Sequence, residues 1–382
     1  MPWGAKTVEK SRIEFVCTAI TGEQSMSSLC REYGITRKTG YKWLERYRKG
    51  ESMGDHSHAA LLHANRSSLE TEALVLCERA KHPTWGPRKL RKALEVKGHV
   101  ELPAVSTFAA ILKRNGCIDP DEGEKHTAFI RFEREKPNEL WQMDFKGDFG
   151  MLNGKRCHPL TILDDHSRYS LCLQAKENEQ SDGTFTSITN VFKENGLPDT
   201  ILCDNGNPWG VSKGGYSVFD VWMMRLGVLP LHGRPLHPQT QGKDERFHRT
   251  LKTDLLKRIA MIDLYHAQNE FDHFRYSYNF ERPHEALGLD VPSKHYHPSR
   301  RALPTKTDEP EYDSGRVLRK VNYKGYISIQ KRRYYLSEAF ASCYLELIYE
   351  PNDVVTLCYG GFRIGQISLA EQLQLSRQIF RR

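Results

Sequence analysis

The sequence predicts a multidomain chain: all-α helix-turn-helix modules at the N-terminus, a central α/β unit built on a mixed sheet, and a small β-barrel at the C-terminus. Three observations predict it. Residues 7–116 carry helical periodicity interrupted at Gly and Pro. From Glu139 onward, apolar runs of strand length alternate with longer helical stretches. Residues 315–369 then return to short strand-like runs separated by turn residues. At 382 residues the chain is long for a single core. The divisions fall at residues 1–50, 66–118, 137–290 and 315–370.

Composition narrows the class. With 38% hydrophobic and 27% charged residues and no apolar run of membrane length, the chain reads as soluble, without a membrane span. The opening Met1-Pro2-Trp3-Gly4-Ala5-Lys6 lacks the apolar stretch of a secretory signal. Nine cysteines are scattered singly, with no CxxC, which fits a reducing cytoplasm. His56, His58 and His63 lie in a polar stretch without paired cysteines and read as linker, not a zinc site. A net charge of +8 favours an anionic partner.

Taken in order, Thr7 to Ile20 is a helix with Phe15 and Val16 on one side. Ser25 and Thr36 are N-cap candidates for two more. The helix Arg37 to Arg48 is basic, with Arg37, Lys38, Lys42 and Arg46 expected outward and Trp43, Leu44 and Tyr47 inward. That spacing fits a major-groove reader as well as it fits a small bundle with solvated charges; the basic bias tips it toward DNA. Residues 50–68 are a polar linker. Leu69 to Ala80, then a basic helix opened by Pro87 and carrying Arg88 and Lys89, then Thr107 to Asn115 capped by Ser106, make a second such module. Residues 119–138 are a charged linker.

The central unit opens with three strands, Leu140–Phe145, Leu160–Leu163 and Ser170–Ala175. A helix over Ser181–Asn195, a buried strand over Thr200–Cys203, a helix over Tyr216–Leu226 and a strand over Val228–Leu231 follow. Two helices, Thr240–Lys257 and Leu264–Tyr278, close it. Residues 291–314 are rich in Pro, Ser and charge, and six short strands with a Gly-Gly turn at 360–361 make the C-terminal barrel.

Three carboxylates carry the chemistry. Asp144 interrupts an apolar strand, where an acid is costly unless liganded. Asp204 ends a buried strand, where open α/β sheets place their sites; taken alone, the Asx-turn reading of Asp204 is the favoured one, as a purely structural role is for Asp144. The third is Asp244 or Glu245. Asp244 falls near the axis of the Phe247–Leu251–Leu255 stripe, whereas Glu245 sits on a flank with Arg249 and Lys252. An acid for metal beside bases for phosphate favours Glu245, against a plain i,i+4 ion pair. Hydrolysis or transfer at a phosphodiester needs an activated oxygen and a stabilised leaving oxygen, and two divalent ions held by a few acids supply both.

These pieces, together with Trp141-Gln142-Met143-Asp144, Asp164-Asp165-His166-Ser167-Arg168, Cys203-Asp204-Asn205-Gly206, Arg234-Pro235, His237-Pro238-Gln239-Thr240-Gln241-Gly242-Lys243, Glu245 to Lys252, Tyr278-Asn279 and Arg282-Pro283-His284, resemble a bacterial insertion-sequence transposase with the retroviral-integrase type of core. The resemblance spans roughly residues 137–290. It implies an RNase H-like fold, a DDE triad falling on Asp144, Asp204 and Glu245, and Mg²⁺ or Mn²⁺, two ions, held by the same three. It also implies donor-end cleavage by water followed by strand transfer from the freed 3′-OH. Lys243, Arg249 and Lys252 join Arg37, Lys38, Lys42, Arg46, Arg88 and Lys89 as candidate DNA contacts. Double-stranded DNA and further copies of the chain are the implied partners. Two departures stand out. The gap from Asp204 to Glu245 is longer than usual, with Trp209 to Gly215 as the candidate insert, and no His/Cys zinc module is present. A nuclease of the same fold and a silent DNA-binding regulator are the rival readings; the intact acids argue against the second.

Overall fold

The computed structural model describes residues 7–55, 67–118, 133–206, 208–210, 215–233, 242–351, 353–369 and 379–381. The chain forms two compact units, Met1–Arg66 and Ser67–Arg382. The linker histidines His56, His58 and His63 and the stretch from Arg234 to Gln241 lie outside the described residues.

The first unit holds α1 (Val8–Thr21), α2 (Met26–Glu32) and α3 (Arg37–Arg48). Thr7, Ser25 and Thr36 each accept a hydrogen bond from the backbone N–H three residues on, satisfying an orphan donor at each helix start. Phe15, Val16, Leu29, Cys30, Trp43 and Leu44 form the core. Gly40 lets α3 approach closely: a Cβ there would lie 2.7 Å from Cys30 Sγ. Arg37, Lys38 and Lys42 are exposed as expected. Arg46 is not. It is buried, donates to the carbonyls of Ser52 at 2.5 Å and Gly54 at 3.2 Å, and lies over the Trp43 ring. It pins the chain after α3, while Tyr47, expected inward, is exposed.

In the second unit α4 (Leu69–Lys81), α5 (Pro87–Val96) and α6 (Val105–Arg114) share a core of Val75, Trp85, Leu90, Leu94, Phe108, Ile111 and Leu112. Ser106 lies inside α6, which Ala104 precedes, so it caps nothing. Arg88 is exposed. Lys89 is half-buried; desolvation and then Arg282 lower its pKa to about 8, which places its ammonium against the sheet unit and not in open solvent.

The main sheet contains β1 (Trp141–Phe145), β2 (Phe149–Gly150), β3 (Arg156–Asp164), β4 (Ser170–Lys176), β5 (Thr200–Cys203) and β6 (Leu229–His232). β1, β3 and β4 form an antiparallel meander; β5 runs parallel to β1, and β6 parallel to β5. β3 is longer than the expected Leu160–Leu163, because Pro159 and the polar residues before it mask the strand pattern. Helices α7 (Ser181–Asn195) and α8 (Val218–Arg225) cover one face, burying Trp141, Met143, Leu160, Ile162, Ile201 and Cys203. α9 (Gly242–Leu251) and α10 (Leu264–Tyr276) cover the other, burying Leu163 and Leu173 under Phe247, Leu251 and Phe271. The result is the mixed sheet between two helical layers that the sequence predicts.

The stretch after 291 is less loose than its composition implies. Tyr296 stacks on Tyr169 at 4.4 Å. Arg301 donates to the carbonyls of Pro198 and Gly227, both at 2.7 Å, clamping the ends of α7 and α8. At the C-terminus β7 (Leu318–Lys320), β10 (Tyr344–Glu350), β11 (Val354–Tyr359), β12 (Phe362–Ser368) and β13 (Phe380–Arg381) form a five-stranded sheet in the order β13-β12-β11-β10-β7. β8 (Tyr326–Ile329) and β9 (Arg332–Tyr335) form a separate hairpin. Both pack into one core with Tyr216, Val221 and Met224 from around α8.

Candidate active site

Strand periodicity puts the first acid in place. Along β1, Trp141 and Met143 enter the α7/α8 core, so Gln142 and Asp144 turn to the α9 side. β3 does the same: Leu160 and Ile162 face α7/α8, and Thr161, the register partner of Asp144, faces α9. On the other side β1 pairs with β5 at Trp141↔Ile201 and Gln142↔Leu202. Continued two residues, that parallel register sets Asp144 level with Asp204, just past the end of β5.

The Asp144 carboxyl responds to its neighbours. Burial first, then the charge of Asp204, pushes the Asp144 carboxyl up to about 7; Glu179 and Glu245 add to the effect. Asp204 is held by its own loop. Its Oδ1 accepts from the Gly206 N–H at 3.0 Å and from Trp209 Nε1 at 2.6 Å. The Trp209 ring is buried and stacks on Phe145 at 5.4 Å. A Cβ on Gly210 would lie 1.8 Å from the Asn205 carbonyl oxygen, so the loop closes only with glycine there. Thus Trp209, read as the start of an insert, belongs to the core and orients the acid.

From the far side of β6, the Asp204 carbonyl lies 3.0 Å from His232 Nδ1, and His232 Nε2 lies 2.7 Å from Asp220 Oδ1. Asp220 also closes a capping box with Ser217 at the start of α8. Burial is the largest single effect and opposes the charge on His232, but the hydrogen bonds and charges of Asp220 and Cys203 together outweigh it and lift the imidazole pKa well above its ordinary range.

α9 brings the third position. Asp244, Phe247 and Leu251 are buried, as the apolar stripe predicts, and Glu245 is exposed. Glu245 lies close enough to raise the carboxyls of both Asp144 and Asp244. Arg249 and Lys252 are exposed on the same helix and its continuation. Lys243 is not a free cation: its ammonium lies 2.5 Å from the buried carboxylate of Asp165. Asp165 is held in turn by Gln142 Nε2 at 2.7 Å.

Asp244 is the unexpected member. Its side chain is fully buried; Oδ1 accepts from the Thr161 hydroxyl at 3.2 Å and lies 3.6 Å from His248 Nε2. Burial and the nearby Lys146 lower the His248 pKa to about 3, so its ring is neutral. Oδ2 of Asp244 has no hydrogen-bond partner among the described residues. Thr161 and His248 carry no motif signal on their own. Asp244 with His248 one turn later does carry one, an acid and an imidazole at i,i+4 on the buried stripe.

The integrase core domain family matches residues 134–238 and 226–292 of the chain. The Tn552 transposase of Staphylococcus aureus is 24% identical over 388 aligned residues, covering 88% of this chain and 78% of its own. An uncharacterized 31.7 kDa protein of insertion element IS407 from Burkholderia multivorans is 26% identical over 171 residues, 43% of this chain and 60% of its own. The Gag-Pro-Pol polyprotein of Mason-Pfizer monkey virus is 34% identical over 123 residues, 32% of this chain and 6% of the polyprotein. The chain therefore spans under two thirds of the insertion-element protein and a small part of the viral one. Over residues 134–292, where Asp144, Asp204 and the α9 acids meet, the chain matches the integrase core domain model.

Proposed function

We propose that the chain is a DNA transposase that binds the ends of a mobile element, cleaves the donor and joins the freed end to target DNA. The observation that carries the reading is the shared level of Asp144 and Asp204 on neighbouring parallel strands, with Glu245 on α9 within electrostatic reach of Asp144. An integrase-type core uses divalent metal. The donor set fits one: the charge of Asp204 adds to burial in raising the Asp144 carboxyl, and a cation between them relieves that repulsion. Asp144, Asp204 and Glu245 would hold it, and when bound it supplies activation of the attacking oxygen and charge stabilisation at the leaving one.

The chain's own residues supply the rest. Trp209, Gly206 and His232 fix the Asp204 loop. In the first step water attacks phosphorus at the element end, the P–O3′ bond breaks and the element strand leaves with a 3′-OH. In the second that hydroxyl attacks a target phosphodiester, forming a new P–O bond and releasing the target's 3′-oxygen. Arg249 and Lys252 flank the acids as backbone contacts. Arg37, Lys38 and Lys42 on α3, and Arg88 on α5, are the exposed bases for gripping end DNA, which makes the two helical regions helix-turn-helix modules of this enzyme. The C-terminal β region is a third, barrel-like module. Joining two ends in concert requires more than one copy. Arg46 and Lys243 drop out as primary DNA contacts because they are engaged within the protein, and Lys89 because it is half-buried.

The test is incubation with candidate end DNA and Mg²⁺, scoring joined products against simple cuts. Joined products are expected. Asp204→Asn should abolish them while leaving end binding intact, and joining that survives it removes Asp204 from the mechanism. Cuts without joining identify a nuclease.

A further inference from the structure

Behind the proposed catalytic acids lies a second set of donors. One ligand atom each from Asp144, Asp244 and His248 lies within 4.8 Å of the others. We infer that these three side chains form a transition-metal site of their own, distinct from the pair of ions held by Asp144, Asp204 and Glu245, and sharing only Asp144 with it. Such a site stands whether or not the chain acts on DNA.

Asp244 is the strongest sign of it. Its side chain is 0% exposed, and its Oδ2 has no partner among the described residues. A buried carboxylate oxygen left bare is expensive, and a second carboxyl beside it, that of half-buried Asp144, adds to the cost. The Thr161 hydroxyl at 3.2 Å and His248 Nε2 at 3.6 Å both lie on Oδ1, which leaves Oδ2 bare among the described residues. A cation between Asp144 and Asp244 satisfies Oδ2 and removes the repulsion together. His248 completes the set: its Nε2 faces the Thr161 hydroxyl at 2.9 Å and Asp244, turned away from solvent. Two ligands at i and i+4 share one face of α9. Oxygen and nitrogen ligands sit about 2.0–2.2 Å from such an ion, so adjacent ligands end about 3–4 Å apart and loading closes the set by about an ångström.

The donors also select the ion. Mg²⁺ gives up its waters reluctantly and prefers all-oxygen sites, so an imidazole in the set disfavours it. One imidazole with two carboxylates suits Mn²⁺, Fe²⁺ or Zn²⁺. Because Asp144 belongs to both sets, an ion here fixes the first catalytic acid from behind.

Mn²⁺ is the probe, read by pulsed electron paramagnetic resonance on the full-length protein. A ¹⁴N coupling from a directly bound imidazole is expected in the wild type and in Asp204→Asn with Glu245→Gln, where the outer set is disabled. Labelling histidine with ¹⁵N should convert the coupling. In His248→Gln and His248→Asn it should vanish, with Mn²⁺ affinity in the Asp204→Asn, Glu245→Gln background falling by at least the roughly 10–100-fold that even outer-shell changes cost. An oxygen-only signature in wild type, or a ¹⁴N coupling that survives both His248 variants, overturns the site. The wild-type labelling result decides the matter even where a His248 variant fails to fold.

Discussion

Asp144 gives the metal-free protein a pH signature. Its carboxyl is ordinarily half-protonated at 3.8 and in the fold at about 7. The folded state therefore holds that proton more tightly than the unfolded chain. The stabilisation is complete below about pH 4 and is lost as pH rises to 7. Denaturant midpoints of the metal-free protein should fall over that window. Asp144→Asn should flatten the slope, and an unchanged slope would place the titration elsewhere. A second residue, Asp164, is structural. It is buried and accepts from Ser167 N at 2.8 Å, Ser167 Oγ at 2.6 Å and Asn138 N at 2.7 Å. Asp164→Ala strands those donors and should cost about 2–4 kcal/mol in unfolding free energy, checked by urea titration. Its motif was visible in the sequence, but a bare string of Asp-Asp-His-Ser-Arg does not say which acid points at a metal and which ties a turn. Asn279 is similar: it exchanges hydrogen bonds with both backbone groups of Ser170, continuing β4's ladder with a side chain.

At the scale of elements, what could be read were the pieces governed by local period. The acids of β1 and β5, the stripe of α9 and the caps of α1 to α3 all follow from spacing along the chain. What could not be read were features set by distant partners. β3 runs through Pro159 because β4 and β1 hold it on both sides. Trp209 looked like part of an insert because nothing local shows that Phe145 waits to stack on it. Arg46 looked outward because it sits on a basic helix, while the carbonyls of Ser52 and Gly54 that bind it lie in the polar stretch after that helix. The link from α8 to Asp204 through Asp220 and His232 is another such feature. His232→Ala leaves a buried carboxylate unpaired, so its expected cost is about 3–5 kcal/mol. It should also slow joining at saturating metal without loss of end affinity; an unaltered rate in the folded variant would free Asp204 of this support.

For the whole molecule, the division at residue 66 makes a clean experiment. A chain of residues 67–382 should fold and keep its metal affinity while binding end DNA more weakly. The dependence of log affinity on log salt should become shallower by about 0.9 for each phosphate that Arg37, Lys38 and Lys42 no longer neutralise. An identical salt slope would show that the first unit does not grip DNA. No helix among the described residues is long and apolar enough to cross a membrane.

The same division cannot be repeated at the other end. α8 carries apolar side chains on two sides, Phe219 and Met223 toward the main sheet and Val221 and Met224 toward the C-terminal strands. The Ser337 hydroxyl donates to the Tyr216 carbonyl at 2.6 Å, just before that helix. During synthesis, then, the outer side of α8 stays bare until β10 to β12 have left the ribosome. The loop bearing Asp204 is tied to α8 through His232 and Asp220, so a chain cut before β10 keeps its acids but bares the helix that supports one of them.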